Sequence, residues 1–285
     1  MLSGAVLIWL FVMGTAVYAV RSRRRSRPRA GYVLIIGAGA IFPTVVLAGL
    51  LGFGLQLLTH LRGPDTGSDL QMEVSGEQWW WRVRYLQADG QPVETANEIR
   101  LPVGAVVELR LTSPDVIHSF WIPSLGGKMD MIPGRETRLV LQPTRTGEFR
   151  GACAEYCGAS HALMAFPVRV MEPDAFAAWL ERQQRPAAQP ESSLARAGAR
   201  LFLANGCGAC HTVRGTEANG TVGPDLTHVG GRLSLGAGTL TNDAESFERW
   251  IGHAKLIKPD VRMPPFDMLP SSDLRAMAAY LDGLQ

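Results

Sequence analysis

All four cysteines of this 285-residue chain lie in two short motifs, and each motif also carries a histidine. The first is C-A-E-Y-C-G-A-S-H-A-L-M, from Cys153 to Met164. The second is C-G-A-C-H, from Cys207 to His211. In the first, Cys153, Cys157, His161 and Met164 follow at spacings of four, four and three, and His118 lies upstream in D-V-I-H-S-F-W-I-P. Thiolate, thioether and imidazole donors together select copper or zinc. In the second, C-x-x-C-H is the signature of covalent c-type haem attachment: Cys207 and Cys210 form the thioethers and His211 is the proximal iron ligand.

Each motif has a plainer reading. A structural zinc site could use His118, Cys153, Cys157 and His161, and Cys153 and Cys157 could instead form a disulfide. Met164 favours copper, because a thioether ligates zinc poorly. So does a haem on the same chain, because zinc has no redox chemistry. A thioredoxin-like redox pair at Cys207 and Cys210 would need a β-α-β setting, and here a helix precedes the motif. The second haem ligand is expected at Met263, in K-P-D-V-R-M-P-P-F, where the prolines stiffen the loop and leave few backbone donors. Met268, Met277, His228 and His253 are the other candidates. Met277 fits the core of the last helix, and His228, in a loop, fits a surface position or one that supports a ligand.

These residues need a scaffold. Short β-type runs at 70–74, 79–86, 105–112, 136–141 and 166–171, separated by Gly, Pro and Asp, predict a sandwich or barrel around the first motif. A short helix is expected over 173–184, and R-P-A-A-Q-P-E-S-S (185–193) reads as a linker. A helical module over 194–285 carries the second motif. Its first helix is expected to end near Asn205, and its last to run from Ser272 to Gly283 with Ser272 or Asp273 as cap. Upstream, residues 1–59 contain no Asp, Glu or Lys. Leu2–Val20 and Tyr32–Leu58 are apolar runs that reach the ~20 residues a bilayer-spanning helix needs. The arginine cluster 21–29 between them predicts a cytoplasmic loop, with both chain ends on the other side. A cleaved signal peptide is the competing reading of the first run. Removing the six arginines of residues 1–59 leaves 22 basic against 26 acidic residues, a net −4 outside. That balance suits a basic protein partner and argues against nucleic acid. The expected division is therefore a hairpin over 1–62, a copper domain over 63–184, a linker over 185–193 and a haem domain over 194–285.

The first 171 residues resemble subunit II of the haem–copper oxidases. G-E-Q-W-W-W (Gly76–Trp81), D-V-I-H-S-F-W-I-P-S-L-G-G-K-M-D (Asp115–Asp130), I-P-G-R (Ile132–Arg135) and the Cys153–Met164 loop stand in that family's order. The resemblance implies a cupredoxin-like all-β domain holding the dinuclear copper centre CuA. It assigns Cys153 and Cys157 as bridging thiolates, His118 and His161 as one imidazole per copper, Met164 as a weak ligand and Glu155 as a carbonyl donor. It also places the Glu155 side chain near a possible magnesium ion at the interface with subunit I. Trp79 is implied to lie at the surface, where an electron would enter. Residues 194–285 resemble a small all-α class I cytochrome c. There the Pro224 carbonyl accepts from His211, and Gly198, Phe202 and Tyr280 join the first and last helices.

Together these resemblances imply subunit II of a cytochrome c oxidase with a cytochrome c fused to its C-terminus. It would sit in a bacterial inner membrane with both metal domains on the outer side. Subunits I and III would be its partners and cytochrome c its donor. Electrons would pass through its own haem c and CuA to the oxygen-reducing, proton-translocating site of subunit I. A nitric oxide reductase subunit and a membrane-anchored shuttle without a catalytic partner are the alternatives; a quinol oxidase would lack these copper ligands. One departure concerns protons. The stretch Ile35–Pro43 of the second apolar run has no carboxylate, whereas many relatives place a glutamate there.

Overall fold

A computed structural model describes residues 2–22, 28–61, 67–87 and 90–285. Most of the arginine cluster (23–27) and residues 62–66, with the expected 62/63 boundary, lie outside the described residues. The chain divides into two compact units, Met1–Asp65 and Thr66–Gln285.

The first unit is helical. Helix α1 covers Leu2–Arg21. Helix α2 (Pro28–Val33) continues through a π-helical stretch, Leu34–Ile41, into α3 (Phe42–Leu61). The stretches Gly4–Arg21 and Gly31–Leu58 are long and apolar enough to cross a membrane. The π-helical stretch coincides with most of the segment that lacks a carboxylate. Wide turns of this kind interrupt α-helices locally.

The second unit begins with ten strands in two sheets. One sheet has the order β3-β2-β1-β5-β8 and the other β4-β10-β9-β6-β7. The strands are β1 Leu70–Glu77, β2 Trp80–Tyr85, β3 Val93–Ala96, β4 Ile99–Pro102 and β5 Val107–Thr112. They continue with β6 His118–Trp121, β7 Met129–Met131, β8 Thr137–Leu141, β9 Gly147–Cys153 and β10 Ala165–Met171. Strict alternation explains the pairing. Met72, Val74, Trp81, Val83, Tyr85, Leu109 and Leu111 point inward and are buried, while Glu73, Arg82 and Arg84 point outward. Strand β1 runs parallel to β5 and antiparallel to β2, as in a closed two-sheet sandwich. Trp81 packs edge-on against Phe120 and Phe166, which stack on each other 5.0 Å apart, and this cluster joins the sheets. The result is a cupredoxin-like β domain. Helix α4, Pro173–Gln184, seats Phe176 and Trp179 against Tyr85.

A helical region follows, with α5 Ser193–Ala204, α6 Ala244–Ile257 and α7 Ser271–Asp282. Ser192 caps α5 by accepting from Ala195 N. Two expectations need correction at α7. Its cap is Pro270, and neither Ser272 nor Asp273 bonds the helix start, because both already lie inside the first turn. The linker residues are also pinned. Arg214 donates to the carbonyls of Gln183 and Gln184, and Ala187 N donates to Arg214 O. The buried His228 bonds Arg185 O and Gln285 O, so it is not at a surface.

Helices α5 and α7 cross at Gly198. A Cβ there would lie 1.9 Å from the Ala276 carbonyl oxygen, and Phe202 meets Tyr280 edge-on beside it. Backbone cannot move aside as a side chain can, so Gly198→Val should cost about 3 kcal/mol, the upper part of the overpacking range. Gly127→Ala, where a Cβ meets nothing within 4 Å, is the control. Thermal unfolding should show a large loss for the first and none for the second; equal melting temperatures would contradict this account of the helix crossing.

Candidate metal centre

Strands β9 and β10 pair antiparallel from Ala152↔Ala165 outward, so the Cys153–Met164 segment is the loop joining them. Cys153 N donates to Met164 O at 2.9 Å and closes that loop. Inside it, His161–Leu163 forms one 3-10 turn. His118 enters from β6, which pairs with β9 through Phe120↔Cys153. Strand pairing thus delivers the histidine that lies far away in sequence.

The ligand atoms of His118, Cys153 and Cys157 lie within 4.8 Å of one another, and all three residues are buried. The two sulfurs are 3.8 Å apart and both cysteines are free, so there is no disulfide here. His118 Nδ1 lies 3.8 Å from Cys153 Sγ, and His161 Nδ1 lies 3.5 Å from Cys157 Sγ. Met164 Sδ is 3.8 Å from Cys157 Sγ, and the Glu155 carbonyl is 3.2 Å from Cys153 Sγ. All six expected donors therefore converge, shared between the two sulfurs. Six donors exceed what one tetrahedral zinc holds, so the arrangement fits a thiolate-bridged pair of metals better than a structural zinc. The Glu155 side chain is exposed, as is the neighbouring Tyr156.

The surroundings orient these donors. Asp115 Oδ1 lies 2.9 Å from His118 Nε2, which leaves Nδ1 facing the sulfurs. Asp115 itself accepts from Gln78 N and Val116 N. Burial works against its charge, but those N–H groups and His118 outweigh it and hold the carboxyl below its usual range. Burial also opposes a charged His118, and its hydrogen bonds to Cys153 and Asp115 outweigh that, raising it. The hydrogen bond shared with Cys157 pulls the Cys153 thiol well below its ordinary range, and Cys157 moves up in return. Cys153 is thus ready to ligate as a thiolate.

Trp79 corrects an expectation. It is 7% exposed, not at the surface. Its Nε1 donates to Cys157 O at 3.0 Å, where Gln78 Nε2 also donates. Gly158, at φ +116°, lies against the indole; a Cβ there would come within 2.9 Å of the ring. The indole's other surroundings explain the burial. Trp79 forms one wall of a cavity of about 450 Å³ that Cys207, Cys210, His211 and Met263 also line. The helical region therefore covers the tryptophan.

That cavity fits a haem. His211 Nδ1 lies 2.8 Å from the Pro224 carbonyl, which leaves Nε2 for an iron. Burial lowers the His211 pKa, which favours the neutral imidazole that ligation requires. Burial likewise pushes the Cys207 thiol up to about 11, while Cys210 is exposed. Met263 lies on the loop after α6, and Met277 is in the core of α7 while also lining the cavity. Two buried donors lining the cavity, Arg232 Nε and Ser234 Oγ, have no protein partner; a haem's carboxylates would supply one.

Sequence reasoning missed Asp115, Gln78, Arg232, Ser234 and Lys258. Asp115 was the most findable, since a carboxylate three residues before a ligand histidine can orient it. The buried Lys258 donates to Leu163 O and Gly236 O, and burial lowers it to about 7, opposed by nearby Cys157. Nothing in K-P-D-V-R announces that burial.

Comparison with known proteins agrees with this architecture. The family described as "Cytochrome C oxidase subunit II, periplasmic domain" matches residues 86–171, and the family "Cytochrome c" matches residues 195–285. Cytochrome c oxidase subunit 2 of Alkalihalophilus pseudofirmus is 37% identical over 223 residues, covering 78% of this chain and 64% of the relative. That of Bacillus subtilis is 33% identical, covering 79% and 65%. That of Branchiostoma floridae is 32% identical, covering 50% of this chain and 69% of the relative. The fold and site define a membrane protein with a copper-type β domain and a haem-type helical region. The chain belongs to the cytochrome c oxidase subunit II family. It spans just under two thirds of the two bacterial relatives' length.

Removing a carboxylate that orients a metal-binding histidine typically costs 10- to 100-fold in affinity. Asp115→Ala should therefore weaken copper binding by about that factor in a chelator competition, and Asp115→Asn by less, because its amide oxygen still accepts. Unchanged affinity in both would show that the contact orients nothing.

Proposed function

We propose that this chain is the electron-accepting subunit II of a respiratory terminal oxidase. It receives electrons from reduced cytochrome c and delivers them to subunit I, where oxygen is reduced to water with proton translocation. A covalent haem c and a dinuclear CuA centre, when bound, supply one-electron redox chemistry with little change of geometry. The observation that carries the reading is one buried indole, that of Trp79, which lines the haem-type cavity and bonds the carbonyl of the copper-ligand Cys157.

The chain's own residues have distinct tasks. Cys153, Cys157, His118, His161, Met164 and the Glu155 carbonyl would hold the coppers. Cys207 and Cys210 would fix the haem, and His211 and Met263 would hold its iron. The protein around them excludes water and keeps the donors still. Trp79 is the route by which an electron would enter the copper centre, now from within the chain. The exposed Glu155 and Tyr156 suit an interface with subunit I, where the Glu155 carboxylate could take a magnesium ion. Subunit III completes the assembly, and the apolar helices anchor it in a bacterial inner membrane with the metal domains in the periplasm.

The intact complex, purified and fed reduced cytochrome c, should consume oxygen. Preferential consumption of nitric oxide would move the enzyme to denitrification. Purification of the chain alone, with neither gas consumed, would leave a shuttle. Met263→Ala should abolish the sulfur-to-iron charge-transfer band of the oxidised haem while the thioether-linked haem remains. A persisting band would assign the ligand elsewhere.

A further inference from the structure

Three hydrogen bonds fasten the segment 160–165 to the helical region, and they straddle two of the candidate copper ligands. Ser160 Oγ donates to Pro259 O at 2.6 Å. Lys258 Nζ donates to Leu163 O at 2.9 Å. Ala165 N donates to Ala237 O at 3.1 Å. His161 and Met164 lie between these points. Lys258 is the central one, since its ammonium also donates to Gly236 O at 3.0 Å and so ties the 236–238 loop to the ligand turn. It is 1% exposed, and both of its partners are backbone carbonyls.

An ammonium is a costly way to fill buried space. Methionine would occupy the same volume without losing hydration, so packing alone does not account for a lysine here. What lysine adds is two directed donors at one point, which fix two carbonyls from different parts of the chain relative to each other.

We infer that Lys258 is a positioning residue for the copper centre: it locks the His161–Leu163 turn onto the wall of the haem cavity, so that the helical region completes the copper-ligand loop as well as carrying its own site. This rests on the function proposed above for the identity of the metals. The geometric part, the fastening of the turn, stands without them.

The test compares Lys258→Met with Arg100→Gln in the full chain. Arg100 Nη2 donates to Gly231 O and also bridges the β domain and the helical region, but remote from the ligand turn. In metal-free protein, Lys258→Met should accelerate amide hydrogen exchange at Ala165 about 10-fold or more. In copper-loaded protein it should change the copper electron-spin resonance signal, weaken copper binding by roughly 10- to 100-fold, and leave the haem spectrum intact. Arg100→Gln should do none of these. Unchanged exchange and an unchanged copper signal in Lys258→Met would overturn the inference, as would equal effects of the two substitutions, which would mark a general docking contact. A parent chain that takes up no copper would remove the proposed function instead, and the exchange measurement would still decide the fastening.

Discussion

Five of the six candidate copper donors sit in one loop, and one backbone hydrogen bond, from Cys153 N to Met164 O, decides whether that loop is closed. The bond continues the β9–β10 ladder, so the ladder's register fixes which residues face each other across the loop mouth. Side chains alternate along a strand, so a slip of one residue would turn Cys153 away from the core and carry its sulfur with it. On its other side, β9 pairs with β6 in a register that places Phe120 opposite Cys153, and therefore His118 within reach of the same sulfur. The aromatic cluster of Trp81, Phe120 and Phe166 lies directly beneath, and its packing resists the slip.

Closing the loop creates a second demand. Thiols, an imidazole and a carboxylate are taken out of water together, and each needs a partner. The structure meets this with short local contacts. Asp115 holds His118 and is held in turn by two backbone N–H groups. The Cys157 carbonyl accepts from Trp79 and from Gln78, which saturates its lone pairs and leaves the loop one position to occupy. Trp79 thereby has a mechanical task beside the electronic one proposed for it. Its burial follows from the first, and its place on the cavity wall gives the second.

The chemistry-bearing side chains were legible in the sequence because their types and spacings are constrained by ligation, and the alternating strands around them were legible because one face of each is buried. Strands β3, β4, β6, β7 and β9 were not. They are three to seven residues long, and β9, G-E-F-R-G-A-C, has little alternation. Their strand character comes from pairing with neighbours, which local pattern does not report. Helix α6 escaped notice for a similar reason, its apolar positions being interrupted by Glu, Arg, His and Lys. The cap of α7 was misplaced by two or three residues, the usual uncertainty when several polar residues could each begin a helix. Lys258, Glu98 and Arg232 were invisible for a deeper reason. Each is a charged residue that sequence reasoning assigns to solvent, and each is buried in the folded chain, Glu98 and Lys258 with a hydrogen bond from one region to the other.

That meeting changes what the segment 185–193 can mean. A flexible tether would raise the local concentration of a freely tumbling haem domain. Here the segment is held by Arg214 and His228, and the contact beyond it combines apolar packing of Ala254 and Val261 against the β-domain core with charged side chains that bond backbone groups across it. Glu98, 2% exposed, accepts from Arg100 and from Leu233 N, and Arg82 donates to Thr221 O. Buried charges that bond backbone groups in this way add little net stability, because desolvation offsets their hydrogen bonds, but a wrong alignment leaves a charge buried without its partner. They therefore select one arrangement over its neighbours more strongly than they hold the two parts together. For the electron transfer proposed above, which depends on distance and orientation, a single arrangement is worth more than a high local concentration. The haem-type cavity and the copper-type loop are consequently better understood as two halves of one site, with Trp79 as their common wall.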